Sequence, residues 1–91
     1  MEKEHLKHCM LIFYSLRLLP QKEKVKVLRE LQGYKEKKYE KLYEHPGLVQ
    51  KSDGEKLGSN VILVPIHNFT IIQNFFSKNN VKTEVKEVWL K

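Results

Sequence analysis

The order of segments predicts an α+β domain, a ferredoxin-like βαββαβ two-layer sandwich occupying residues 1–91. Three observations lead there. Residues 9–16 and 61–66 are apolar enough to be central strands, residues 21–32 and 69–78 carry apolar side chains at helical spacing, and the remaining strand candidates bear the lysines expected of sheet edges. A helical N-terminal half followed by one βαβ unit is the alternative arrangement.

Residues 1–7 are charged and read as frayed. The run Cys9-Met10-Leu11-Ile12-Phe13-Tyr14-Ser15-Leu16 is short and aromatic, with Pro20 close behind, which favours a strand over a buried helix. Pro20 suits the first turn of a helix, where a missing N–H costs nothing, and strong helix formers continue to Gln32 until Gly33 stops them as a C-cap. Val27, Leu28 and Leu31 form the buried stripe of that helix, with Val25 and Tyr34 at its margins. Residues 35–44 are charged and aromatic. They read as an edge strand over 38–43 rather than as more helix, because Gly33 interrupts the helical pattern and lysines protect exposed edges.

Residues 52–56 have turn chemistry, and Val61-Ile62-Leu63-Val64-Pro65-Ile66 is the clearest strand, rich in β-branched residues. Asn68 is placed to cap a helix over 69–78, whose Phe69, Ile72, Phe75 and Phe76 share a face. The last strand, 81–90, alternates imperfectly: Val81, Thr83 and Val85 fall on one face, Val88 and Leu90 on the other. A bulge near Lys86-Glu87 would reconcile them.

At 91 residues, about 65% of the unfolded chain's surface is buried, enough for one modest core. Seventeen Lys and Arg against eleven Asp and Glu give a net charge of +6, while 41% apolar residues exclude a disordered basic tail. Cys9 stands alone, so no disulfide framework or thiolate zinc site is available, and a cytoplasmic location is expected. The apolar run at 9–16 is far shorter than the ~18 residues of a membrane span.

A sheet covered by helices on one side and water on the other should alternate apolar and polar residues. The two central strands do not. Met10, Ile12 and Tyr14 share one face with Leu16, yet Cys9, Leu11 and Phe13 on the other are equally apolar. The face carrying Met10, Ile12 and Tyr14 is taken as a dimer or partner face, and a homodimer follows. Alternatively, the loop 46–60 folds back over the second face.

The sequence carries no recognisable catalytic constellation, and neither a catalytic residue nor a cofactor is assigned. His5, His8 and Cys9 cluster in sequence, but in a segment too loose for tetrahedral ligation, and no metal site is assigned. There is no nucleophile elbow, phosphate-cradling loop or carboxylate pair. Tyr14-Ser15-Leu16 stands where CRISPR-associated ferredoxin-like nucleases carry an Asp, and Arg17 lacks the glycines of an acylphosphatase loop. A non-catalytic nucleic-acid-binding domain is the leading functional expectation. Lys35, Lys37, Lys38 and Lys41 interleave with Tyr34, Tyr39 and Tyr43, combining phosphate-neutralising charge with rings that stack on unpaired bases. Arg17 and Arg29 add planar donors. Glu36, Glu40 and Glu44 weaken the local field. An ordinary RNA-recognition motif is not favoured, because the aromatic in the first strand is displaced by one residue, which turns it to the opposite face, and Val61 to Ile66 has none of the aromatics that its third strand requires. The rival class is an assembly module that dimerises through an apolar sheet face.

Tyr14-Ser15-Leu16-Arg17, Arg29-Glu30-Leu31, Gly33-Tyr34-Lys35, Lys38-Tyr39, Tyr43 and Gly47-Leu48 together resemble a pattern in small archaeal proteins of about this length. The resemblance implies the same βαββαβ pattern and a Lys/Glu-rich thermophile-like source, and it brings no activity with it.

Overall fold

The computed structural model describes residues 6–90. Strand β1 (Lys7–Ser15) is followed by helix α1 (Gln21–Gln32), then by two strands of a hairpin, β2 (Gly33–Lys38) and β3 (Lys41–Pro46). The short helix α2 (Leu48–Lys51) leads into β4 (Glu55–Gly58) and β5 (Val61–Pro65). A 3-10 turn (Ile66–Asn68) opens α3 (Phe69–Lys78), and β6 (Lys82–Leu90) completes the described chain. The structure is thus α+β, with helices against an antiparallel sheet. The sequence alternative of a helical N-terminal half is overturned, because the first described element is the longest central strand.

One sheet has the order β4-β5-β1-β6, and all its neighbours are antiparallel. β1 and β5 are central, as their apolar runs require. Ile12 sits opposite Ile62 on one side and Val85 on the other, and all three point toward the helices. Ile12, Ile62, Val64, Val27, Leu31, Ile72 and Phe76 are essentially sealed from water. Tyr14 stacks on Phe76 with centroids 5.0 Å apart, joining β1 to α3. α1 and α3 have the expected bounds because their stripes are clean: Val27 and Leu31 from one, and Ile72 and Phe76 from the other, supply the helical half of the core.

Four expectations are corrected. The second strand of the sheet is not 38–43, which belongs to a separate two-stranded sheet. Its edge position beside β5 is taken by β4, from residues with turn chemistry. β6 pairs with β1 in unbroken register over nine residues, so no bulge lies at Lys86-Glu87; the register shift is in β4, between Lys56 and Gly58. Asn68 makes no side-chain cap bond to α3, and its Nδ2 donates to the Ser52 carbonyl at 2.9 Å. Of the segment expected to fray, residues 1–5 lie outside the described residues, and Lys7 already belongs to β1.

The hairpin leaves the core at a close backbone crossing. Gly33 has φ 81° and ψ 176°, a conformation open only to glycine. A Cβ at Gly33 would come within 2.4 Å of the His45 carbonyl oxygen, and one at Gly47 within 2.3 Å of the Gln32 carbonyl carbon and the Gly33 nitrogen. Both neighbours are backbone and cannot rotate away. Gly58 is different, since its added Cβ would meet only a Val61 methyl at 3.0 Å. We therefore expect Gly47→Ala to lower stability by about 2 kcal/mol or more and Gly58→Ala by about 1 kcal/mol or less. Equal urea midpoints for the two variants would contradict the crossing.

Candidate nucleic-acid interface

The hairpin that follows α1 is about 20 Å long at ~3.3 Å per residue. It makes an elongated molecule: the radius of gyration is 14.9 Å, against about 12 Å for a compact chain of this length. Tyr39 and Glu40 form its two-residue turn, both with positive φ, 53° and 64°. Such turns match the twist of the strands, although Asn-Gly fills them with less strain. Cross-strand pairs are Tyr34–His45, Lys35–Glu44, Glu36–Tyr43, Lys37–Leu42 and Lys38–Lys41. Directly opposed residues share a face. One face therefore carries Tyr34, His45, Glu36, Tyr43, Lys38 and Lys41, and the other Lys35, Glu44, Lys37 and Leu42.

An isolated two-stranded ribbon is marginal in water, so its base must be anchored. The Arg29 guanidinium lies 4.1 Å over the Tyr34 ring, and His45 stacks on the same ring at 4.3 Å with 14° between planes. Two groups so close cannot share one side of a ring, so Tyr34 is sandwiched. His45 Nε2 also lies 3.3 Å from a Glu36 carboxylate oxygen. The anchor thus runs from α1 through Tyr34 and His45 into the hairpin. Lys35 and Glu44 add an ion pair at 3.6 Å, exposed enough to contribute only ~0–1 kcal/mol.

The expected contact residues consequently divide. Tyr34 has both ring faces occupied and cannot receive a base. Tyr39, at 84% exposure, and Tyr43, at 43%, present rings to solvent near or at the tip. Lys37, Lys38 and Lys41 are exposed and form no ion pair within 4.0 Å among the described residues, whereas Lys35 is engaged with Glu44. Arg17 is not part of this surface. It lies in the turn before α1, and Arg29 is in the last turn, about 12 Å of helix beyond the first residue of α1. His45 and Glu36 were not among the expected site residues, and their partnership becomes readable only once the turn is placed at Tyr39-Glu40.

The expected partner face is also corrected. Ile12 is fully buried and Tyr14 is 3% exposed, both beneath the helices, and Met10 packs against the same core. The parity of β1 is as expected, but the helices cover the other of its two faces. Leu11 and Phe13 lie on the face away from the helices, where Phe13 is 38% exposed. Cys9 on the same face is buried and lines a hollow with Asp53 and Glu55, so residues 46–60 reach this face only at its Cys9 end, while Val49 joins the helical core and β4 extends the sheet sideways. The lysine-rich hairpin leaves from the helical layer, so the basic surface and the open sheet face are separate. His8 and Cys9, neighbours on a strand, point to opposite faces, and His5 lies outside the described residues. No group of three or more His, Cys, Asp or Glu that could hold a metal ion occurs among the described residues.

Neither a protein-family model, nor a curated protein, nor a solved structure matches the chain. Among the described residues, no helix is long and apolar enough to cross a membrane.

Burial raises the Tyr14 phenol above its ordinary value of 10.0, partly offset by a hydrogen bond with Gln32. The native state then keeps this proton at pH values where the unfolded chain has lost it. The stability that depends on it is complete below about pH 10 and falls as pH rises further. Urea midpoints measured from pH 9 to 11.5 should drop more steeply for the wild type than for Tyr14→Phe. Parallel profiles would contradict this placement of Tyr14.

Proposed function

We propose that the chain is a non-catalytic nucleic-acid-binding protein that engages a single strand through the tip of its β2–β3 hairpin. The observation that carries this reading is the division of the hairpin into an anchored base and an exposed tip. At the base, Arg29, Tyr34, His45 and Glu36 satisfy one another. At the tip, Lys37, Lys38 and Lys41 are available to phosphates, and Tyr39 and Tyr43 to bases. Base stacking on aromatic rings tolerates any sequence, since every base has a π-face, and lysines track the backbone beside it. Glu40 at the turn limits the charge, so three phosphate contacts are the expected number.

The same reading assigns the scaffold to the ferredoxin-like class with an insertion. β1, α1, β4, β5, α3 and β6 then stand for the six elements of βαββαβ, and the hairpin with α2 is inserted between the first helix and the second strand. Support comes from β4 at the edge next to β5, on the far side from β6.

Fluorescence anisotropy with labelled 12-mers of single-stranded RNA, single-stranded DNA and duplex DNA, from 20 to 300 mM salt, tests the proposal. Binding to single strands should weaken log-linearly with salt, with a slope of about −2 for three contacts at ~0.7 per phosphate. Lys37→Glu/Lys38→Glu should weaken it at least ~10-fold and flatten the slope. Tyr39→Ala should cost about 1–3 kcal/mol of binding. Absence of binding at 20 mM salt, or binding indifferent to the lysine reversal, would refute the reading.

A further inference from the structure

The sheet face away from the helices is built in transverse rows that can be read from the strand register. Its central row is Glu55, Leu63, Leu11 and Lys86, one residue from each of β4, β5, β1 and β6. The next is Gly58, Val61, Phe13 and Glu84. The central row therefore places an acid on one border, a base on the other and two leucines between them. Glu55 and Lys86 are three strand spacings apart, about 14 Å, too far to pair within one chain. The Lys86 ammonium instead reaches over the open face, 6.0 Å from the Phe13 ring. Leu11, Leu63 and Val61 are half-buried and Phe13 is 38% exposed, so among the described residues this apolar centre is left without a full cover.

We infer that the occupant of this face is a second copy of the same chain, packed sheet to sheet about a twofold axis parallel to the strands. That axis carries each row onto itself in reverse. Glu55 then faces Lys86 of the other copy, twice by symmetry, and Leu63 faces Leu11. In the next row the bulky Phe13 lies over Val61, and Glu84 over Gly58. A twofold axis perpendicular to the strands would place Lys86 on Lys86 and Glu55 on Glu55, so charge selects the first axis. Because the contact is isologous, it closes after two copies and leaves no adhesive face behind. Aligned sheets pack about 30° apart and about 10 Å face to face, a distance Glu and Lys side chains span. The strands give each face a footprint of about 430 Å², about 860 Å² for the pair, which is below the ~1,200 Å² of standard stable interfaces and makes the dimer a weak one that dissociates at accessible concentrations.

Light scattering and sedimentation equilibrium from 1 to 300 µM test the inference without reference to nucleic acid. The wild type should approach twice the chain mass at the upper end. Glu55→Lys and Lys86→Glu should each weaken dimerisation at least tenfold, and the double exchange Glu55→Lys/Lys86→Glu should restore it. Leu11→Asp should be monomeric throughout. All three positions are exposed or half-exposed, and an unchanged far-ultraviolet circular dichroism spectrum establishes that each variant folds. A wild type of single-chain mass at 300 µM would overturn the dimer. A dimer that the double exchange fails to restore would overturn this axis.

Discussion

The form of the molecule depends on the backbone crossing at Gly33 and Gly47. The chain leaves α1 and returns to α2 through a gap too narrow for a Cβ on either residue, with approaches of 2.3–2.6 Å. Everything between these glycines is thereby pinched off from the sheet. Had residues 38–43 continued to the sheet, β4 would have no edge to occupy and the lysines would lie along a sheet border. Instead they project on a two-stranded ribbon that α1 supports at its base through Arg29 and Tyr34. Gly33 also takes a backbone conformation that strains every other residue, so it both terminates α1 and turns the chain into β2.

This separation gives the two unsatisfied surfaces independent chemistry. The ribbon is polar and cationic near its tip and is steadied by one stack, Arg29 on Tyr34 on His45. The sheet face has an apolar centre, with Glu55 on one border and Lys86 and Glu84 on the other. They lie on different layers, so neither competes with the other for space. The proposed dimer would keep both hairpins outside the sheet-to-sheet contact, because each arises from an outer helical layer.

Much of the scaffold is legible in the sequence, and the reasons are local. The bounds of α1 follow from Pro20, an unbroken run of helix formers and Gly33. α3 follows from the spacing of Ile72 and Phe76. β1 and β5 announce themselves as the two most apolar runs. The hairpin is harder to read because Tyr39-Glu40 lacks the Asn or Gly that usually marks a two-residue turn, and because β2 alternates lysine with glutamate and β3 shows no apolar-polar alternation. β4 is masked for the opposite reason: Asp53 and Gly54 show turn chemistry, and only the exposed edge of β5 makes a strand of the four residues after them. The parity of β1 is evident from alternation, but both its faces are apolar, so composition does not reveal which one the helices cover. The candidate site was legible as composition, in its lysines and tyrosines. The distinction between Tyr34, enclosed by Arg29 and His45, and the open rings of Tyr39 and Tyr43 exists only in three dimensions.

The most direct test of this account is the pattern of interstrand backbone NOEs in the isotopically labelled protein. With the hairpin pinched off at Gly33 and Gly47, cross-strand contacts should appear between Tyr34 and His45 and between Lys38 and Lys41, together with contacts between Glu55 and Leu63 at the sheet edge. Contacts between residues 38–43 and β5, in place of those from Glu55, would show that the lysine-rich segment is an edge of the main sheet and would contradict it.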